Sequence, residues 1–219
     1  MTEKPILFSA PMVRAIIDGS KSQTRRIMNP QPDDDGRVTV GEIGTSLGVA
    51  YLRGERGGQC LRVPCPYGFP GSRLWVRETC RAEELPSGLD GVRYLADDCF
   101  IPIDNTPESG DAWLDLRYYG KRASPVAPVK TVPAIHMPRW ASRITLEITG
   151  IRVERLRDIN EADATAEGWT RRDDLTSDDE VHREAAREWF MDIWESINGP
   201  GSWCANPWVW VVEFRRIEL

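Results

Sequence analysis

A mixed α+β fold is predicted from three features of the chain. Residues 143–153 alternate, with Ile144, Leu146 and Ile148 set against Arg143, Thr145, Glu147 and Thr149, which is the period of a strand. Residues 181–197 place Ala185, Trp189, Ile193 and Ile197 along one helical stripe, with Phe190 and Trp194 beside it. Residues 208–217 are apolar on both faces up to Glu213, as expected of a strand covered on both sides. A length of 219 residues suits one domain or a small two-domain protein and can bury a sizeable core.

The remaining elements follow in order. Residues 6–9 read as a short strand. Ser9 or Ala10 then caps a helix with Pro11 in its first turn, where a missing amide costs nothing. Met12, Val13, Ala15, Ile16 and Ile17 make that helix mostly buried, and Gly19 suits the left-handed position past its end. Residues 30–60 are rich in Asp, Gly and Pro and predict an exposed loop, with Val38-Thr39-Val40 as a hairpin arm. Pro70-Gly71 marks a turn before a strand over residues 73–79. Glu78 shares the face of Leu74 and Val76 there, so it needs a partner or lines a pocket. Residues 92–96 read as a strand and 104–111 as a loop. The three prolines of 123–133 predict extended chain. Gly150 marks a bulge or bend in the long strand. Asp158 then opens a helix, with Glu161 as its capping-box partner; the helix ends at Gly168 with Glu167 in its last turn. A carboxylate at that end opposes the helix dipole, which hints at a task for it. Residues 171–180 are charged loop, and Asn198-Gly199-Pro200-Gly201 stops the long helix.

Bulk properties narrow the function classes. The net charge of −6 excludes a general polyanion binder, so contact with nucleic acid needs a local basic patch. Nine Trp residues supply core, with a few available for stacking on bases. No run is long and apolar enough for a membrane span, and the amino terminus has no apolar signal region. Five irregularly spaced Cys predict free thiols in a reducing cytoplasm. Cys60 and Cys65, with Cys80 and His136, are the candidates for a zinc site. No second close pair supports it, so neither metal nor cofactor is expected. His136 reads as a structural hydrogen-bonding group. Arg139 and Trp140 offer a phosphate contact and a stacking surface.

The stretch that concentrates chemistry is Gly19-Ser20-Lys21-Ser22-Gln23-Thr24-Arg25-Arg26. Lys21 and Thr24 lie three apart, and a turn or helical geometry would put them on one face. On composition alone this is a solvated basic turn. Two more stretches alter that reading: Pro66-Tyr67-Gly68-Phe69-Pro70-Gly71-Ser72-Arg73-Leu74-Trp75-Val76-Arg77-Glu78-Thr79, and Asn206-Pro207-Trp208-Val209-Trp210-Val211-Val212-Glu213-Phe214. With the opening Lys4-Pro5-Ile6-Leu7-Phe8-Ser9 and the Gly-x-Lys-x-x-Thr-Arg-Arg stretch, they resemble the ASCH domain of the PUA-like superfamily. The resemblance is to the longer ASCH proteins of phages and prophages, and it covers most of the chain outside residues 30–62 and 82–132.

That resemblance implies a PUA-like β-barrel over residues 1–219, with flanking helices and two loop or hairpin insertions at about 30–62 and 82–132. It implies a ligand cleft beside the Lys21–Thr24 stretch and binding of RNA or of a modified nucleoside or nucleotide. Some small ASCH proteins hydrolyse the acetyl amide of N(4)-acetylcytidine with the Lys and Thr of Gly-x-Lys-x-x-Thr and a Glu on the helix after the long strand. Those positions fall on Lys21, Thr24 and Glu167, with Glu161 and Asp163 as competing acids for the third place. Arg25, Arg26, Trp75, Glu78, Arg139 and Trp140 are the expected ligand-binding residues. A Thr hydroxyl needs a base, which a Lys of lowered pKa can supply, and a carboxylate can protonate the leaving amine or activate water. The alternatives are a non-catalytic reader of RNA or modified bases and an RNA-cleaving ASCH protein. The chain departs from the small enzymes in its greater length and in the Arg that follows Thr24.

Overall fold

The computed structural model describes residues 3–31, 48–52, 61–119, 131–170 and 179–218. The expected hairpin arm at 38–40, most of the proline-rich 123–133 and most of the charged loop at 171–180 lie outside these residues. In chain order the elements are β1 (Lys4–Leu7), α1 (Ala10–Ile17), β2 (Gln23–Ile27), β3 (Val49–Leu52), β4 (Leu61–Pro64), β5 (Arg73–Arg77), β6 (Cys80–Glu84), β7 (Asp90–Tyr94), β8 (Phe100–Pro102), α2 (Pro107–Arg117), β9 (Thr145–Arg155), α3 (Glu161–Ala166), α4 (Asp179–Asn198) and β10 (Trp208–Ile217). The class is α+β. A five-stranded sheet has the order β1-β5-β9-β10-β2, a hairpin pairs β3 with β4, and a third sheet has the order β6-β7-β8. Among the described residues no sheet closes into a barrel.

The chain divides into two compact units. One holds residues 1–4, 15–74 and 146–219; the other holds 5–14 and 75–145. In the first unit β10 is the buried spine. Val209, Trp210, Val211 and Val212 are all inaccessible to solvent or nearly so, as a strand apolar on both faces should be. Its antiparallel partner is β2, with Thr24 opposite Val212 and Arg26 opposite Trp210. Along α4, Ala186, Phe190 and Trp194 join Leu156, Ile159, Trp169, Trp203, Val209 and Val211 in one apolar cluster. The buried line is thus offset by one residue from the predicted stripe along its length, with Ala185, Trp189 and Ile193 only partly buried and Ile197 exposed.

The second unit is built on the β6-β7-β8 sheet and α2. Its core joins Cys80, Val92, Tyr94, Leu116, Val132, Met137 and Ala141. The predicted loop at 104–111 is a helix from Pro107 onward. Thr106 caps it by accepting from the Ser109 amide, and proline occupies the first turn. Those two signals outweighed the Asp, Ser and Gly that made the stretch read as loop.

Two further expectations are corrected. The cap of α3 is Asn160, not Asp158, and its reciprocal partner is Asp163 rather than Glu161. The basic stretch does not continue as turn or helix past Ser22. Gly19, at φ 84°, ends α1, and residues 23–27 are then drawn into β2 by pairing with β10. Tertiary pairing overrides local composition here. Pleating places Gln23 and Arg25 on one face and Thr24 and Arg26 on the other.

Trp210→Ala removes a ring that is 1 % exposed from the spine strand. It should cost about 3–5 kcal/mol of stability. Urea denaturation should show a lower midpoint with an unchanged slope.

Candidate functional site

The site is assembled where β2 begins and α3 ends. Capping by Asn160 starts α3, and Glu167 follows as its carboxyl-terminal cap residue, in helical geometry, with its amide donating to Asp163 O. The backbones of Lys21 and Glu167 form an isolated antiparallel bridge. The Ser22 amide donates to Ala166 O at 2.8 Å, and the Lys21 amide donates to Ala15 O at 2.9 Å. Both residues are thus fixed by backbone before their side chains meet.

The side chains then close a buried ion pair. Lys21 Nζ donates to Glu167 Oε2 at 2.6 Å and to the Glu167 carbonyl at 2.9 Å. The Lys21 side chain is 0 % exposed and that of Glu167 is 3 % exposed. Burial pushes the Lys21 ammonium below its ordinary value. Attraction to Glu167 works against that shift, and the charges of Arg26 and Arg25 add to it. Glu167 Oε1 is buried and makes no hydrogen bond, although Arg25 Nη1 stands 3.5 Å away.

Arg25 links this pair to a larger network. Its Nη2 reaches Glu154 at 3.0 Å and Asp163 at 3.1 Å. Arg152 reaches Asp163 at 2.5 Å, pairs also with Glu154 and Glu213, and donates to Gln23 Oε1 at 3.1 Å. Burial raises the pKa of Asp163, but Arg25 and Arg152 outweigh it and hold the carboxyl below its usual range. Arg152 was absent from the expected site, and Asp163 entered only as a rival for the role of Glu167. Their sequence signals were register alone: Arg152 and Glu154 are two apart on β9, and Asp163 is one helical turn before Glu167.

The other expected residues fall as follows. Thr24 is buried in β2, on the pleat opposite Arg25. Arg26 is half-buried on the pleat of Thr24, and its charge acts on both the Lys21 ammonium and the Tyr67 phenol. Glu161 lies in the first turn of α3, at the end away from Lys21.

In the second unit, Glu78 is paired. Arg143 grips it at 2.8 and 2.9 Å and also holds Asp97 at 2.8 and 2.9 Å, while stacking 4.2 Å from the Tyr94 ring. Burial pushes the Glu78 carboxyl up, and Arg143 pulls it back. The bridging role considered for Glu78 is therefore met by Arg143. Trp75 is buried, with the guanidinium of Arg77 4.6 Å and that of Arg139 5.9 Å from its ring. Trp140 is exposed. His136 lies against Tyr119 at 5.1 Å. The zinc candidate Cys60 lies outside the described residues, and among those described no group of three His, Cys, Asp or Glu is placed to hold a metal. No described helix is long and apolar enough to cross a membrane.

Comparison with known protein families, characterised proteins and solved structures finds no match to this chain.

Glu167→Gln leaves the Lys21 ammonium buried without its counter-charge, and a loss of about 3–5 kcal/mol is expected. The Lys21→Met/Glu167→Gln double variant should lose less than the sum of the single losses, because the two groups are in contact. Stability against pH gives a second check. Folded Lys21 gives up its proton below its ordinary 10.5, so below that value the folded chain binds fewer protons than the unfolded one. Its contribution therefore grows as pH rises toward 10.5 and is lost as pH falls through the lowered value. Lys21→Met should flatten that part of the alkaline stability curve.

Proposed function

We propose that the chain is an ASCH-type protein of the PUA-like superfamily that binds a modified nucleoside and hydrolyses an acyl amide on it. N(4)-acetylcytidine is the substrate that the resemblance implies, and a PUA-like framework is part of the same reading. The observation that carries it is the buried Lys21–Glu167 pair, in which desolvation weakens the hold of the lysine on its proton. A lysine whose hold on its proton is weakened in this way is a better candidate for a base than an exposed one. Glu167 keeps one buried oxygen without a hydrogen bond, so it retains capacity to take or return a proton. Arg26 is suited to anion contact, since its charge reaches Lys21 and Tyr67.

Two routes differ in the nucleophile. In one, the proton of the pair passes from Lys21 to Glu167, Thr24 Oγ1 attacks the acyl carbon as Lys21 takes its proton, the C–N bond breaks as Glu167 hands its proton to the leaving amine, and water then hydrolyses the Thr24 ester to release acetate. In the other, water attacks the acyl carbon directly while the Lys21–Glu167 pair takes its proton and passes it to the leaving amine, so that the C–N bond breaks to give the same cytidine and acetate. The pleat of β2 favours the second route, because Thr24 faces away from the side on which Arg25 reaches Glu167.

Chromatographic release of cytidine from N(4)-acetylcytidine tests the reading, with thermal melting as the folding control. Lys21→Met should abolish turnover. Thr24→Ala should abolish it on the first route and spare at least about a tenth of it on the second; where both single variants are dead, the double variant should lose no more than either. Arg26→Ala should weaken binding as well as turnover. Binding of the nucleoside without release of acetate would replace the enzyme by a non-catalytic reader. An absence of both would overturn the reading.

A further inference from the structure

A cavity of about 700 Å³ lies against the β3–β4 hairpin and the segment 64–72, all within the first unit. That volume falls in the range of small-molecule sites, roughly 300–1,000 Å³. Its walls are mostly apolar. Phe69, 53 % exposed, and the half-buried Tyr67 supply two aromatic rings. Lys4 and Arg62 supply two cations, and no carboxylate stands among the described lining residues. In a chain of net charge −6, a concavity whose described lining residues carry only positive charge is a local exception.

The wall is preformed. Gly48, at φ 55°, approaches Gly68 so closely that a Cβ on it would collide with the Gly68 carbonyl. The Cys65 amide donates to Gly48 O at 2.7 Å. The Phe69 amide donates to Ser72 Oγ at 3.1 Å, and the Ser72 amide returns to Phe69 O at 2.8 Å. Gly71 is tied to Ile148 O at 2.8 Å, and Lys4 Nζ donates to Pro66 O at 2.8 Å. An ammonium has three protons, so Lys4 can hold this carbonyl and still meet an anion.

We propose that this cavity binds a planar aromatic ligand carrying an anionic group, with the ring against Phe69 and Tyr67 and the anion between Lys4 and Arg62. A nucleoside monophosphate and an aromatic carboxylate share that chemistry. Ring stacking on exposed aromatic side chains and charge-assisted hydrogen bonds each contribute measurably to such binding. The site requires no step at Lys21, so loss of amide hydrolysis would leave it standing.

Titration calorimetry on the whole chain supplies the test. The probes are CMP with cytidine, AMP with adenosine, and indole-3-carboxylate with indole-3-carboxamide. At least one anion should bind about tenfold tighter than its uncharged partner, and which pair responds identifies the source of the anion. Arg62→Met should remove that preference, and Phe69→Ala should weaken both members of the responding pair. Both side chains are exposed, so melting temperatures should hold. Lys4→Met should act like Arg62→Met. No binding by any probe, equal binding of charged and uncharged partners, or binding unchanged in Arg62→Met and Phe69→Ala would each overturn the proposal.

Discussion

A buried ion pair that closes a backbone bridge is the constraint on which the first unit depends. Lys21 and Glu167 are 146 positions apart, yet they are joined through both main chain and side chain. Taking two charges out of water is costly, and attraction repays that cost only where geometry and additional hydrogen bonds are good. Here a carbonyl and a carboxylate share the ammonium, and Arg25 adds a second cation to the carboxylate side. A well-packed apolar pair would hold the two segments together with less at stake. The placement of charge, rather than stability alone, is what this junction supplies.

The network around the pair shows how the placement is enforced. Arg25 spans Glu154, Asp163 and Glu167, and Arg152 spans Glu154, Asp163 and Glu213. Two guanidinium groups thus cross-brace carboxylates from β9, β10 and α3. Planar forks with several donors suit this task, where a lysine would offer a single mobile point charge. Asp163 has a double duty. It closes the capping box of α3 with Asn160 and receives both arginines, so the start of the helix and the orientation of its end are set together.

Much of this was legible in the sequence, and what was missed has physical reasons. The long strand and the amphipathic helix were legible because their periodicities extend over many residues, and the final strand because it is apolar on both faces. The meeting of Lys21 with Glu167 came from the resemblance; no local period predicts a contact across 146 positions. The course of residues 23–27 was missed because the polar run Gln23-Thr24-Arg25-Arg26 carries no strand signal, and pairing with β10 alone decides it. Helix α2 was missed because its apolar content is low: Trp113 and Leu116 are its buried positions, and its cap was hidden in a stretch rich in turn residues. Arg152 follows Gly150, where the alternation of the long strand breaks, and nothing local marks it as the hub of four partners.

The strand geometry of β2 also bears on the chemistry. A motif written as Lys-x-x-Thr suggests neighbours on one helical face, but in extended chain every second residue shares a face. The cationic half of the motif, Lys21 with Arg25, is gathered at Glu167, while Thr24 and Arg26 occupy the other pleat. A nucleophile and its base must come within hydrogen-bond reach. The pleat of β2 sets Thr24 on the face opposite Arg25, the residue that reaches Glu167. The two residues that fix the backbone junction are thus the same two to which the proposed proton transfer is assigned, and Thr24 stands on the opposite side of the strand.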